Sequence, residues 1–92
     1  MYLMISTYLR PLDEVDAVRP EHIEFVAGLT ETGVCVASGR RQPPVGGILL
    51  LDVATEDEAR AVIADDPYVT GGFARYEPVG WTPTTGRLAN PV

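Results

Sequence analysis

Val34-Cys-Val-Ala-Ser-Gly39 and Gly46-Gly-Ile-Leu-Leu-Leu-Asp-Val53, separated by a loop carrying Pro43-Pro44, are the two stretches that decide the fold. Each is short, apolar and bounded by glycine or proline, which marks a strand. The short loop between them makes an antiparallel hairpin, with Gly46-Gly47 opening the second arm. A sheet with one solvated face alternates polar and apolar side chains, and these two strands do not. Val34, Cys35, Val36 and Ala37, then Ile48, Leu49, Leu50 and Leu51, are apolar on both faces. Both faces of the hairpin are therefore expected to be covered.

Outward from the hairpin, each flank reads as one strand and one helix. Met1 to Leu9 is rich in Tyr, Ile, Leu and Thr and ends at Arg10-Pro11, so it is a predicted strand. Tyr2, Met4, Ser6 and Tyr8 share one of its faces; Leu3, Ile5 and Leu9 share the other. Arg10 to Val18 reads as an acidic loop carrying Asp13, Glu14 and Asp16, and a helix is expected from about Pro20, which suits a first helical position. Gly33 ends it. Thr55 and Glu58 have capping-box spacing at the start of a second helix, Glu56 to about Asp65, which breaks before Pro67. Gly71-Gly72 makes a turn, and Phe73 to about Trp81 is a fourth strand whose Pro78 places it at an edge or a bulge. Residues 1–81 form the expected domain and residues 82–92 a loose tail.

The order βαββαβ predicts an α+β, ferredoxin-like antiparallel sheet with two helices on one face. Something else must cover the opposite face, and a second copy of the chain pressed sheet to sheet is the expected partner, giving a homodimer. Length supports a partner too. At 92 residues the chain has room for one domain, and a domain this small buries only roughly 60–65% of its unfolded surface.

Composition excludes several classes of function. Thirteen acids oppose seven bases, all of them arginine, for a net charge of −6. Such a chain is a poor electrostatic match to nucleic acid or to an anionic membrane. Cys35 and His22 are the sole cysteine and histidine, so no zinc site of the usual Cys/His kind is expected, and no cofactor is implied. One cysteine cannot form an internal disulfide, and the apolar opening lacks a basic leader, so a cytoplasmic location is expected.

Two polar residues stand in phase with apolar stripes. His22 joins Phe25, Val26 and Leu29 on the core side of the first helix; Asp66 joins Ala59, Val62 and Ile63 at the end of the second. A histidine there is more often a satisfied core residue than a catalyst. A carboxylate at a buried helix C-terminus opposes the helix dipole and calls for a partner. The topology brings the start of the first helix, the end of the second, and the ends of the first two strands to one edge of the sheet. That edge gathers His22, Asp66, Ser38 and Tyr8, with Tyr68 alongside. Asp66 on one ring nitrogen of His22 would fix its tautomer and leave the other for a substrate proton. Ser38 would orient a substrate oxygen or, less often, act as a nucleophile; its bland counterpart is a small residue at a strand end. Tyr8 and Tyr68 line the pocket or merely pack there, and Arg40 with Arg41 either holds an anionic substrate or sits in a solvated loop. Cys35, mid-strand, is expected to be buried packing.

Arg19-Pro-Glu-His22, Ala37-Ser-Gly39, Gly46-Gly47, Asp65-Asp-Pro-Tyr68 and Gly71-Gly72 together resemble the YciI-like (YCII-related) family over about residues 1–81. The resemblance implies a domain that pairs into a dimeric α+β barrel. It also implies a His–Asp dyad at His22 and Asp66, a serine at Ser38, and a small-molecule enzyme of lyase or isomerase type. Some relatives remove chloride from chlorinated aromatic breakdown products, and muconolactone isomerase shares the barrel architecture. Many members have proline after the Ser-Gly, where this chain has Arg40, so the anion-facing part of the pocket is expected to differ. The alternative from another class is a ligand-binding or regulatory protein that uses the same pocket without chemistry; a third is a purely structural pairing protein.

Overall fold

Alternation along β1 (Tyr2–Tyr8) settles which face meets the helices: Met4 and Ser6 are buried, whereas Leu3, Ile5 and Thr7 are half-exposed. The computed structural model describes residues 1–89. After β1 come α1 (Leu12–Glu31), β2 (Cys35–Arg40), β3 (Gly47–Leu51), α2 (Glu56–Ile63), the short α3 (Pro67–Thr70) and β4 (Ala74–Gly80). The strands form one sheet in the order β2-β3-β1-β4, with every neighbouring pair antiparallel. This is the expected α+β arrangement, and β4 with its Pro78 lies at an edge, where a missing N–H is tolerated.

The core lies between the sheet and the helices. Met4, Cys35, Leu49, Leu51 and Tyr76 from the strands meet Val26 of α1 and Ala59 and Ile63 of α2. A second cluster joins Val15 of α1, Tyr68 of α3 and Ala74 of β4. The register puts Leu3 opposite Leu50 and Val79, and Ile5 opposite Ile48, on the other face of the sheet. Val79 there is 47% exposed. The hairpin is less regular than strict alternation requires. A register shift between Cys35 and Ala37 makes Val36 the extra residue of a bulge, with its side chain exposed.

Two corrections to the sequence expectations bear on the site. Arg10 to Val18 is not a loop: α1 begins at Leu12 and carries Pro20 in its interior. The backbone oxygen of Pro11 accepts from the amides of Glu14 and Val15, and Asp13 and Glu14 place negative charge in the first turn, where the helix dipole favours it. Pro20 removes one bond, to the carbonyl of Asp16, at a cost of about 3 kcal/mol. Complete burial of Val15 against Tyr68 and Ala74 helps offset that cost. His22 therefore sits in the middle of a long helix, not in its first turn.

Asp66, in turn, does not end a helix but begins one. It is the N-cap of α3, its side chain accepting from the Tyr68 amide at 2.9 Å, with Pro67 in the first helical turn. The dipole there favours the carboxylate instead of opposing it. At the start of α2 the capping box forms, Thr55 accepting from the Glu58 amide at 3.1 Å. The return bond goes to the amide of Ala54, one residue earlier than the motif predicts.

Trp81 to Ala89 contain no helix or strand, although Pro83 is buried; the remainder of the expected tail, residues 90–92, lies outside the described residues. No helix among the described residues is long and apolar enough to cross a membrane.

Gly46 is required by space. A Cβ built on it would lie 1.8 Å from the backbone oxygen of Ser6, in the middle of the sheet. Neither backbone can yield without breaking strand pairing. Gly46→Ala is expected to cost roughly 2–4 kcal/mol, read as a lower urea midpoint.

Candidate functional site

The central feature is a carboxylate with no solvent exposure that is bonded on three sides. Asp66 Oδ1 accepts from the Tyr68 amide at 2.9 Å, and Oδ2 accepts from the Tyr76 hydroxyl at 2.8 Å. Both oxygens face Nδ1 of His22, at 2.9 and 3.0 Å. The three donors come from α3, β4 and α1, so His22 and Asp66, both named from the sequence, are brought into hydrogen-bonding contact by elements far apart in the chain. With Nδ1–H donating to the carboxylate, the neutral ring carries its lone pair on Nε2, which bonds to no described residue. His22 is 16% exposed at its side chain, and its ring stacks on that of Tyr68 with centroids 4.0 Å apart and planes 8° apart. Bond and stack together restrict rotation of the imidazole.

His22 lines a cavity of about 330 Å³ between α1 and the sheet. The size lies at the lower end of the range for small-ligand sites, roughly 300–1,000 Å³. Tyr8, Ser38, Arg40 and Tyr68, all named from the sequence, are on its wall; Asp66 lies behind His22 and is not. Ser38 pairs with Leu49 through the strand backbone, but its side chain is exposed and its hydroxyl has no hydrogen-bond partner among the described residues. Arg40, the last residue of β2, donates through Nε to the Tyr8 hydroxyl at 3.1 Å and pairs closely with Asp16 of α1. The Asp16 bond is the main reason its pKa is raised above the ordinary arginine value. Arg40 is thus tied down and not part of a solvated loop. Arg41 points elsewhere, donating to the Ser6 carbonyl at 3.3 Å, and does not line the cavity.

Three contributors escape a reading of the sequence: Ser6, Arg19 and Tyr76. Ser6 is buried and accepts from the Gly47 amide at 2.7 Å, closing the cavity floor where β1 meets β3. Its signal was available, as a polar residue in phase with Tyr2, Met4 and Tyr8. Tyr76 alternates with Ala74 in β4, which marks it as inward-facing but not as a partner of Asp66. Arg19 stands in the Arg19-Pro-Glu-His22 stretch, but a helix expected only from Pro20 leaves it outside the helical stripe that faces the cavity.

Among the described residues, no three of the His, Cys, Asp and Glu side chains converge as metal ligands would. The chemistry available is proton transfer at Nε2, with phenol and guanidinium groups nearby. Burial, then the Asp66 charge, push the Tyr76 pKa far above the tyrosine range, so it stays a donor. Burial, then Tyr8, push Tyr68 up to about 12.

These tyrosines make stability depend on pH at the alkaline end. A phenol that ionises at 10.0 in the unfolded chain and at about 12 when folded keeps its proton longer in the native state. The unfolded state then binds fewer protons, so stability is unaffected below about pH 9 and falls as pH rises through that window. Urea midpoints between pH 8 and 12 are expected to show this fall, less steep in Tyr76→Phe. At pH 7 Tyr76→Phe should itself lose about 1–3 kcal/mol, by leaving Asp66 a donor short.

The comparisons with known proteins agree with this architecture. No curated protein matches the chain. A solved structure described as 5-chloro-2-hydroxyhydroquinone dehydrochlorinase (TftG) from Burkholderia phenoliruptrix AC1100, in complex with 2,5-dihydroxybenzoquinone, is similar in fold. Its TM-score is 0.66 at 16% sequence identity, with 98% of this chain and all of that chain covered. At that identity the likeness concerns the fold. The family is shown by sequence: the model of the YCII-related domain matches residues 1–82, and the chain belongs to the YCII-related family.

Proposed function

We propose that the protein is a small-molecule enzyme of lyase or isomerase type in which His22 is the general acid/base and Asp66 its orienting partner. The observation that carries this reading is the bonding of His22: Nδ1 is held by a fully buried carboxylate, while Nε2 has no partner among the described residues, on a ring that lines a ligand-sized cavity. Nε2 takes a proton from carbon or oxygen of the substrate, and the imidazolium so formed is stabilised by the Asp66 charge at Nδ1. In an isomerisation the same proton returns at another atom. In an elimination the electron pair freed by its removal expels a leaving group such as chloride, and the proton passes to water. Ser38, exposed on the cavity wall, orients a substrate oxygen; Tyr8 and Arg40 shape the wall beside it. The similarity in fold to a dehydrochlorinase supports this class of chemistry and makes chlorinated hydroxyhydroquinones the first compounds to try.

Chloride release from 5-chloro-2-hydroxyhydroquinone is the direct assay. His22→Ala is expected to lose about 10²–10⁴-fold in turnover, assayed well below a thermal midpoint that itself falls because buried Asp66 loses a donor. Undiminished turnover in that variant would overturn the dyad. Binding of the compound without chloride release would favour a ligand-binding protein that uses the same cavity.

The working unit is proposed to be a homodimer formed through the outer face of the sheet, where Leu3, Ile5, Ile48 and Val79 lie side by side. Burying that face brings two sheets into one core and removes an apolar surface from water. Sedimentation equilibrium is expected to give twice the chain mass, and Ile5→Asp should shift the population to monomer. A monomeric wild type at micromolar concentration would exclude this interface.

A further inference from the structure

The cavity wall is basic in an acidic protein. Thirteen acids and seven arginines make up the charge of the chain, yet Arg19 and Arg40 line the cavity and no Asp or Glu does. Of the two, Arg40 is already paired with Asp16 and bonded to Tyr8. Arg19 is half-buried, and its guanidinium has neither an ion pair nor a hydrogen bond among the described residues. It stands in a stripe of α1, with Ile23, Ala27 and Thr30, that faces the cavity and not the core.

A second observation is independent of the first. The Tyr68 hydroxyl is the one buried side-chain polar atom with no hydrogen-bond partner among the described residues, on a side chain 2% exposed. An unpaired buried hydroxyl costs stability, so its retention calls for an occupant that pairs with it. Tyr68 also lines the cavity, and the positive charges of Arg40 and Arg19 act on its hydroxyl. A cation without an anion and a donor without an acceptor thus share one cavity.

We propose that the cavity takes a planar anion of roughly one ring, whose carboxylate or phenolate-type oxygen is held between the Arg19 guanidinium and the Tyr68 hydroxyl, beside Nε2 of His22. This deepens the enzymatic reading by naming the substrate class, and it rests on that reading only where it sets the anion next to the reacting nitrogen. A guanidinium presents paired N–H groups to such an oxygen, and a phenol adds a third donor. Delocalised negative charge beside the imidazole also favours the imidazolium once a proton has moved.

The test is calorimetric titration of 2,5-dihydroxybenzoate against its isosteric amide, 2,5-dihydroxybenzamide. The carboxylate is expected to bind at least about tenfold more tightly, with affinity falling as salt rises. Arg19→Gln should weaken carboxylate binding roughly 10- to 100-fold, whereas Arg60→Gln, the same charge change on α2 away from the cavity, should alter it less than about twofold. Tyr68→Phe should weaken it about tenfold while leaving the thermal midpoint unchanged or higher, because it removes an unpaired buried hydroxyl; a merely structural tyrosine would lower the midpoint. The proposal is overturned if the amide binds as well as the acid, or if neither binds up to about 10 mM. It is overturned equally if Arg19→Gln behaves like Arg60→Gln, or if Tyr68→Phe keeps full affinity. These titrations read binding alone. Anion binding without turnover of any compound would remove the enzymatic reading and leave this site standing, and turnover without anion preference would do the reverse.

Discussion

A carboxylate removed entirely from water must be surrounded by donors, and in this protein that requirement holds the candidate site together. Asp66 draws the Nδ1 edge of His22 from α1, the Tyr68 amide from α3 and the Tyr76 hydroxyl from β4 to within 3.0 Å. Removing any one of them leaves part of a buried charge uncompensated, a far larger penalty than the loss of an exposed ion pair. The capping role and the dyad are therefore one interaction. The bond that starts α3 also fixes the atom that orients the histidine.

From that anchor the rest of the site follows. Tyr68, held by its own amide, lays its ring under the imidazole and packs edge-on against Tyr8, with centroids 5.9 Å apart. Tyr8 accepts from Arg40, and Arg40 reaches back to Asp16 on α1. A chain of contacts thus runs from the buried carboxylate around the cavity to the helix that began it. It touches α1 at both ends, through His22 on Asp66 and through Asp16 on Arg40, so the length of that helix matters. Had the helix started at Pro20, neither Val15 nor Asp16 would be placed to close the ring.

The fold was legible in the sequence wherever a period was clean. Alternation in Tyr2–Tyr8, the apolar arms on either side of Pro43-Pro44, and the stripe of His22, Phe25, Val26 and Leu29 each point to the element that forms. The meeting of His22 with Asp66 was legible in part: His22 falls in phase with the core stripe of α1, and the antiparallel topology brings the segment after α2 to the same end of the sheet. Readings that leaned on a single residue went astray. Pro20 marks the first turn of a helix in most settings, but tertiary packing of Val15 carried the helix past it. Asp66 looked like the end of one helix because the turn that it caps is only four residues long, too short to show a period.

What the sequence determined by itself is the order of elements, the inward face of each, and the two residues whose polarity conflicts with that face. These are local properties, set by side-chain spacing and backbone preference. Only the tertiary structure decided which donors satisfy Asp66, and that among the described residues Arg40 is paired whereas the Arg19 guanidinium and the Tyr68 hydroxyl are not. Those outcomes depend on distances between groups many residues apart: His22 and Asp66 are separated by 44 positions and Tyr8 and Arg40 by 32. No periodicity encodes such a meeting, because the strength of a hydrogen bond or an ion pair is settled within an ångström and by what else competes for the same atoms.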